Sequence, residues 1–309
     1  MNHLKRVHFF SAILSFVLGA GFTAMAQDAP DVGPHPPAPA PAMESHIGNI
    51  TGHSKDGAAD YRRYCAGCHG VLGDGQGENT PWLDPKPRNF TLATFKCRST
   101  PTGTLPTDED LFNTIGRGLT NSNMPIWNTF TKDQKANLVA YIKIFSPRWG
   151  KEKAGDPIKI PVEPAVTIES ISHGKELFTK LECWKCHGPQ GKGDGPSAAT
   201  LTDSQDNPIR PYNFAGGGND SRFKCGSTNA DVYKIFITGV DGTPMPSFAD
   251  VIQPNDAWDL VHFLRTLQVK RRSKENDVLK AAGGKIPPYP EKQGEAPATH
   301  SENRTGGGN

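Results

Sequence analysis

The sequence predicts an all-α chain of two tandem domains, joined and flanked by Pro-rich segments. Three observations carry that expectation. A five-residue run, Cys65-Ala66-Gly67-Cys68-His69, recurs as Cys183-Trp184-Lys185-Cys186-His187. Each run follows a stretch of helical character and precedes a Gly-rich loop. Each half then closes on an amphipathic helical pattern, Ala136 to Phe145 in the first and Pro254 to Leu267 in the second.

Taken in order, the chain opens on Lys5 and Arg6, an apolar stretch from Phe9 to Gly21, and Ala24-Met25-Ala26. This is the pattern of an export signal over residues 1–26, cleaved after Ala26. Retained, the same stretch would anchor the chain in a membrane. Residues 27–52 are rich in Pro and Ala and read as an extended tether, with His35, His46 and His53 as solvated side chains in or beside it. The first domain is expected over 53–149. A helix from Lys55 to Tyr64 leads into Cys65. Gly73-Asp74-Gly75-Gln76-Gly77 lacks the ending of a phosphate-binding loop and reads as tight turns. Thr107 with Asp108, Glu109 and Asp110 starts a helix that stops at Gly118. Thr131 and Gln134 make a capping pattern for the closing helix. Residues 150–167 return to Pro and charge, as an interdomain linker.

The second domain, expected over 168–269, repeats the plan element by element. Gly191 to Gly195 matches the first Gly-rich loop, and Asn213-Phe214 matches Asn89-Phe90. Phe223-Lys224-Cys225-Gly226-Ser227-Thr228 matches Phe95-Lys96-Cys97-Arg98-Ser99-Thr100, and Pro244-Met245-Pro246 matches Met124-Pro125. One order of motifs through both halves is an internal duplication. Residues 270–309 read as a disordered tail.

The repeated run has a chemical reason. Cys-x-x-Cys-His presents two thiols that add across the two vinyl groups of one porphyrin, and the adjacent imidazole reaches the iron. Two such runs predict two covalently bound haem c groups. Cys65, Cys68 and His69 would hold one, and Cys183, Cys186 and His187 the other. Covalent haem suits the composition, since 35% apolar residues with 33 Gly and 27 Pro favour small domains over one large core. Past the export signal the methionines are Met43, in the tether, and Met124 and Met245, which share one slot of the repeat. The last two are expected as axial ligands opposite His69 and His187.

The run, the Gly-rich loop, the Met-Pro loop and the closing helix make each half similar to a class I cytochrome c domain. The whole resembles dihaem c-type cytochromes of bacterial respiratory chains. That resemblance implies an all-α fold wrapped around each haem, with exchange of electrons between a donor and an acceptor protein. The stretch from Phe95 to Met124 is also similar to haem c domains that serve membrane oxidoreductases or molybdenum-enzyme systems. Arg88 is a candidate donor to a haem propionate. Cys97 and Cys225 depart from the minimal pattern. A disulfide between them, two buried free thiols, or cysteine ligation of a haem are all open. His173 and His262 are expected as ordinary surface or core residues.

A formal charge of +2, balanced once Lys5 and Arg6 are removed, gives no basic footprint for nucleic acid. The expected function is thus single-electron transfer in the periplasm by a protein with no catalytic residues. The rivals are a dihaem enzyme of the thiosulfate dehydrogenase or peroxidase kind, and a haem c subunit of a membrane oxidoreductase complex.

Overall fold

A computed structural model describes residues 42–216, 223–268 and 273–289. The expected export signal, the expected tether as far as residue 41 and the tail beyond 289 lie outside the described residues. The fold is mostly helical, as expected, with one two-stranded sheet among the described residues.

The first domain begins earlier than its sequence suggested. Where the tether was expected, β1 (Glu44–Ile47) and β2 (Ile50–His53) pair antiparallel, with Glu44 opposite His53 and Ile47 opposite Ile50. The hairpin leads into α1 (Ser54–Asp60), and a π-helical turn over Tyr61–Cys65 leads into α2 (Ala66–His69). Then come α3 (Asp108–Arg117), α4 (Lys132–Lys143) and a short α5 (Arg148–Lys151). The hairpin is held by α4. Ser45 Oγ donates to the Ala136 carbonyl at 2.7 Å, and the His53 amide donates to Asn137 Oδ1 at 2.8 Å. This partner lies far along the chain, so local composition could not announce the hairpin.

The second domain has α6 (Ile168–Lys180), α7 (Trp184–His187), α8 (Asn229–Thr238) and α9 (Pro254–Thr266). The expected tail holds a further helix, α10 (Lys274–Ala281), started by Ser273, whose side chain accepts from the Asn276 amide. The segment after α10 stays on the domain. Ser172 Oγ donates to the Pro287 carbonyl at 2.6 Å, and Tyr289 stacks on His173 at 4.3 Å.

In each domain the helix before the motif crosses the closing helix, α1 on α4 and α6 on α9. The crossing is set by a glycine. A Cβ on Gly57 would meet the Asn137 carbonyl, and one on Gly174 would meet the Asp259 carbonyl. Backbones approach this closely only where no side chain intervenes. The third helix of each plan starts from a capping box, Thr107 with Asp110 or Thr228 with Asp231. Each ends on a glycine with positive φ, Gly118 at 65° or Gly239 at 64°. The cores form behind these crossings, with Tyr61, Phe90, Leu111 and Leu138 in one and Phe178, Phe214, Phe236 and Trp258 in the other.

The two domains belong to one compact unit. Cys97 and Cys225 form a disulfide across their seam, with Cα atoms 5.2 Å apart. This resolves the three readings open in the sequence: the cysteines are neither free thiols nor haem ligands. The next residue, Arg98, is 1% exposed. Its guanidinium pairs with Asp241 of the second domain at 2.8 Å and donates to the Thr238 carbonyl. Asp241 also accepts from Thr102 Oγ1 at 2.7 Å and from the Gly103 amide at 3.0 Å. The linker is extended and pinned to both domains. The Ile158 amide donates to the Ser99 carbonyl, and Asn229 Nδ2 donates to Glu163.

Candidate haem sites

Each motif sits where a helix is brought to an end. In the first domain the π-helical turn carries Tyr61 to Cys65, and α2 then presents Cys68 and His69. In the second, α6 stops at Lys180, and Glu182 takes a φ of 57° to re-enter α7. A four-residue helix leaves its last carbonyls without partners. The Gly-rich loops supply them. Gly75 and Gly77 amides donate to the His69 and Cys68 carbonyls at 2.9 and 3.2 Å. Gly193 and Gly195 do the same for His187 and Cys186 at 2.8 and 3.1 Å. The loops thus fasten the motif rather than bind phosphate.

The two motif histidines are set identically. His69 Nδ1–H donates to the Arg88 carbonyl at 3.0 Å, and His187 Nδ1–H donates to the Tyr212 carbonyl at 2.9 Å. A carbonyl can only accept, so Nδ1 carries the proton and Nε2 keeps its lone pair. Each ring stacks on a phenylalanine, Phe90 at 4.4 Å and Phe214 at 4.6 Å. Burial pushes both imidazoles below the ordinary histidine range, so both are neutral. A neutral imidazole with Nδ1 tied to a carbonyl is the arrangement of a metal-ligating histidine. The carbonyl acceptors were not legible in the sequence. The Asn-Phe repeat did mark the stacking partners.

Cys65, Cys68, His69 and Met124 line one cleft of about 1100 Å³, its open mouth included. Its walls are apolar, with Phe95, Leu111, Ile115 and Ile142 among them. The Cys65 thiol is pushed up to about 12 by burial first and by the charge of Asp60 second, and that of Cys183 rises equally by burial. All four motif cysteines are free of disulfides, as attachment to a vinyl group requires. In the second domain Cys183, Trp184 and Met245 pack around one apolar cluster with Phe178, Phe214 and Phe236. The methionine loops are also alike. Leu119 and Val240 amides donate to the Met124 and Met245 carbonyls at 3.2 and 3.0 Å. Ser122 and Thr243 hydroxyls accept from the two methionine amides at 3.3 and 3.2 Å. An apolar cleft holding two thiols, a neutral imidazole and a thioether fits a covalently attached haem. Met43 lies next to the hairpin, where its amide donates to Ser54 Oγ, and its carbonyl accepts from the Ser54 amide.

The cleft of the first domain also has a cationic side. Arg88, Lys96 and Lys224 line it, and Lys224 comes from the second domain. Burial lowers the affinity of all three for protons, and for both lysines the nearby Arg88 charge adds to the effect. His173 and His262 are an exposed-edge and a core residue, as expected. His173 Nδ1 bonds Asp259 at 2.8 Å, and the fully buried His262 bonds Ser170 Oγ at 2.9 Å. No helix among the described residues is long and apolar enough to cross a membrane.

The family model described as "Cytochrome c" matches residues 171–268, and that described as "Cytochrome C oxidase, cbb3-type, subunit III" matches residues 53–142. A search of curated proteins gave no match. Among solved structures, a chain of the Kuenenia stuttgartiensis reducing HAO-like protein complex is 42% identical with a TM-score of 0.66. That similarity covers 69% of this chain and 96% of the other. With one cytochrome c model on each half and a relative this similar over nearly its whole length, the chain belongs to the c-type cytochromes, as a member with two tandem cytochrome c domains.

Proposed function

We propose that the protein is an exported dihaem cytochrome that passes single electrons between redox partner proteins. Cys65 and Cys68 would bind one haem c, and Cys183 and Cys186 the other. His69 and Met124 would ligate the first iron, and His187 and Met245 the second. The observation that carries this is the matched pair of histidines, each with Nδ1 donating to a backbone carbonyl and Nε2 free to ligate. A haem with histidine and methionine ligands supplies a one-electron couple at a raised potential.

The chain's own residues do the rest. The carbonyls of Arg88 and Tyr212 hold each imidazole in one tautomer and orientation. Phe90 and Phe214 fix the ring planes. The Ser122 and Thr243 hydroxyls brace the loops that carry the two methionines, and the apolar walls exclude water. With a methionine as its second protein ligand, neither iron would be open to substrate, so the reading is a carrier rather than an enzyme. The units read as 44–149 and 168–289, with 150–167 pinned between them. The export pattern over 1–26 would carry the chain to the periplasm, where covalent haem attachment takes place. The relative in a reducing HAO-like protein complex supports a lasting partner protein. A haem-bearing subunit or docking partner of an oxidoreductase complex is therefore included in the proposal.

The test is a haem count with a near-infrared spectrum of the oxidised protein. Two haems per chain and a methionine-to-iron band of matching intensity are expected. A high-spin signal on either haem would sink the pure carrier. Replacing Met124 by Ala should remove half of the band, and replacing Met245 the other half.

A further inference from the structure

Three cationic side chains meet at the domain seam, and two of them, Lys96 and Lys224, have no role in the account so far. Arg88 belongs to the first domain, yet its guanidinium lies against Gly242 of the second. Lys224 belongs to the second, yet its ammonium donates to the Asn121 carbonyl at 3.3 Å, in the loop that carries Met124. Lys96 and Lys224 are repeat equivalents, and each directly precedes a cysteine of the cross-domain disulfide. The disulfide therefore holds the two lysines near each other, and both line the cleft of the first domain.

The protein offsets these charges only at a distance, through Asp203 and Asp241. No carboxylate among the described residues pairs with Arg88, Lys96 or Lys224. The acidic groups nearest to them are already committed. Asp241 takes Arg98, Thr102 and the Gly103 amide. Asp203 takes the amides of Gln205 and Asn207 at 2.9 and 3.0 Å, and Asn207 Nδ2 besides. Three half-buried cations in one apolar cleft repel one another and lose hydration. Such a cluster is stable when an anion enters it. The anion must be part of whatever fills that cleft, and a haem carries two carboxylates.

We infer that Arg88, Lys96 and Lys224 form a carboxylate-binding cluster for the haem of the first domain, so that this haem is held by both domains. The inference rests on the two-haem reading above. The repeat equivalents do not rebuild this set in the second domain, because Tyr212 stands at the position of Arg88 and both repeat lysines line the first cleft. The seam therefore makes the two haems electrostatically unequal. A cation beside a haem stabilises the reduced state, since reduction removes one positive charge from the site.

The test is potentiometric titration of the holoprotein in wild type, Lys224→Gln, Lys224→Arg and, as an exposed control, Lys159→Gln. Haem stoichiometry is read first. The expected result is that Lys224→Gln lowers the potential of one haem by about tenfold in the reduction equilibrium, which is about 59 mV for a one-electron couple. Lys224→Arg should restore most of it, and Lys159→Gln should move neither wave. The low-spin spectrum should stay intact in Lys224→Gln, which separates a charge effect from misfolding. Two haems with both waves unmoved, or with both moved equally, would overturn this inference alone. A first motif without haem would overturn the reading beneath it and this proposal with it.

Discussion

The two domains hold equivalent groups by different local means, and the contrast separates what the site requires from what only supports it. Both tie a motif histidine to a carbonyl, stack it on Phe90 or Phe214, and close a methionine loop in the same pattern. The support differs. The first domain enters its motif through a π-helical turn, the second through a broken helix with Glu182 at positive φ. The first covers its closing helix with the β1–β2 hairpin. The second covers α9 with α10, while the segment through Tyr289 lies on α6. Repeats thus keep the groups around the cleft and diverge in whatever shields the outer face, because any apolar cover serves there.

The largest expected effect tests the equivalence itself. Cys68→Ala together with Cys65→Ala should leave one haem per chain, as should Cys186→Ala with Cys183→Ala. A pyridine haemochrome assay on each pair counts them. A double variant that still carries two haems would break the equivalence of the motifs.

The seam is one-sided, since Gly226 stands where the first domain has Arg98. Arg98→Met should therefore cost about 3 kcal/mol, because it leaves the Asp241 carboxylate half-buried beside neutral donors. Thermal unfolding of the holoprotein reads this. Next comes the cross-link. Replacing Cys97 and Cys225 by Ser removes a bridge spanning 128 residues, which costs about 2 to 5 kcal/mol. Combined with Arg98→Met it should split one unfolding transition into two. A single transition in the triple variant would mean that the domains are coupled through the linker instead.

How much of this was legible in the sequence follows from where each partner lies. The motifs, the Gly-rich loops, the capped helices and the repeat are local patterns, and each appears where it was expected. Cys97 and Cys225 stood out by their shared repeat position, but only the three-dimensional contact could choose among three chemistries. The hairpin was hidden because Ser45 finds Ala136 only after folding. Helix α10 was hidden because a Gly- and Pro-rich setting masked a short capped segment. Its hold on the domain comes from Glu275, which accepts from Asn229 at 2.9 Å across the fold. Lys224 was legible as a repeat equivalent of Lys96 and illegible as a side chain of the other domain's cleft.

The smallest expected effect uses the closing helices. α4 starts from a full capping box, in which Thr131 Oγ1 accepts from the Gln134 amide and Gln134 returns the bond, both at 3.1 Å. α9 starts at Gln253-Pro254 with no side-chain cap, although Pro in the first turn presets its backbone. Asp256 stands at the third helical position of α9, as Gln134 does in α4, so half of a box is already present. Thr131→Ala should cost about 1 kcal/mol, and Gln253→Thr should gain about 0.5 to 1 kcal/mol. The two changes lie in separate domains and should add within error. Thermal unfolding of the single and double variants decides it. A gain at residue 253 would mean that the two closing helices differ only in an end that can be exchanged. No gain would mean that Asp256 is held away from the helix end by His173, which lies 3.9 Å from it in the structure.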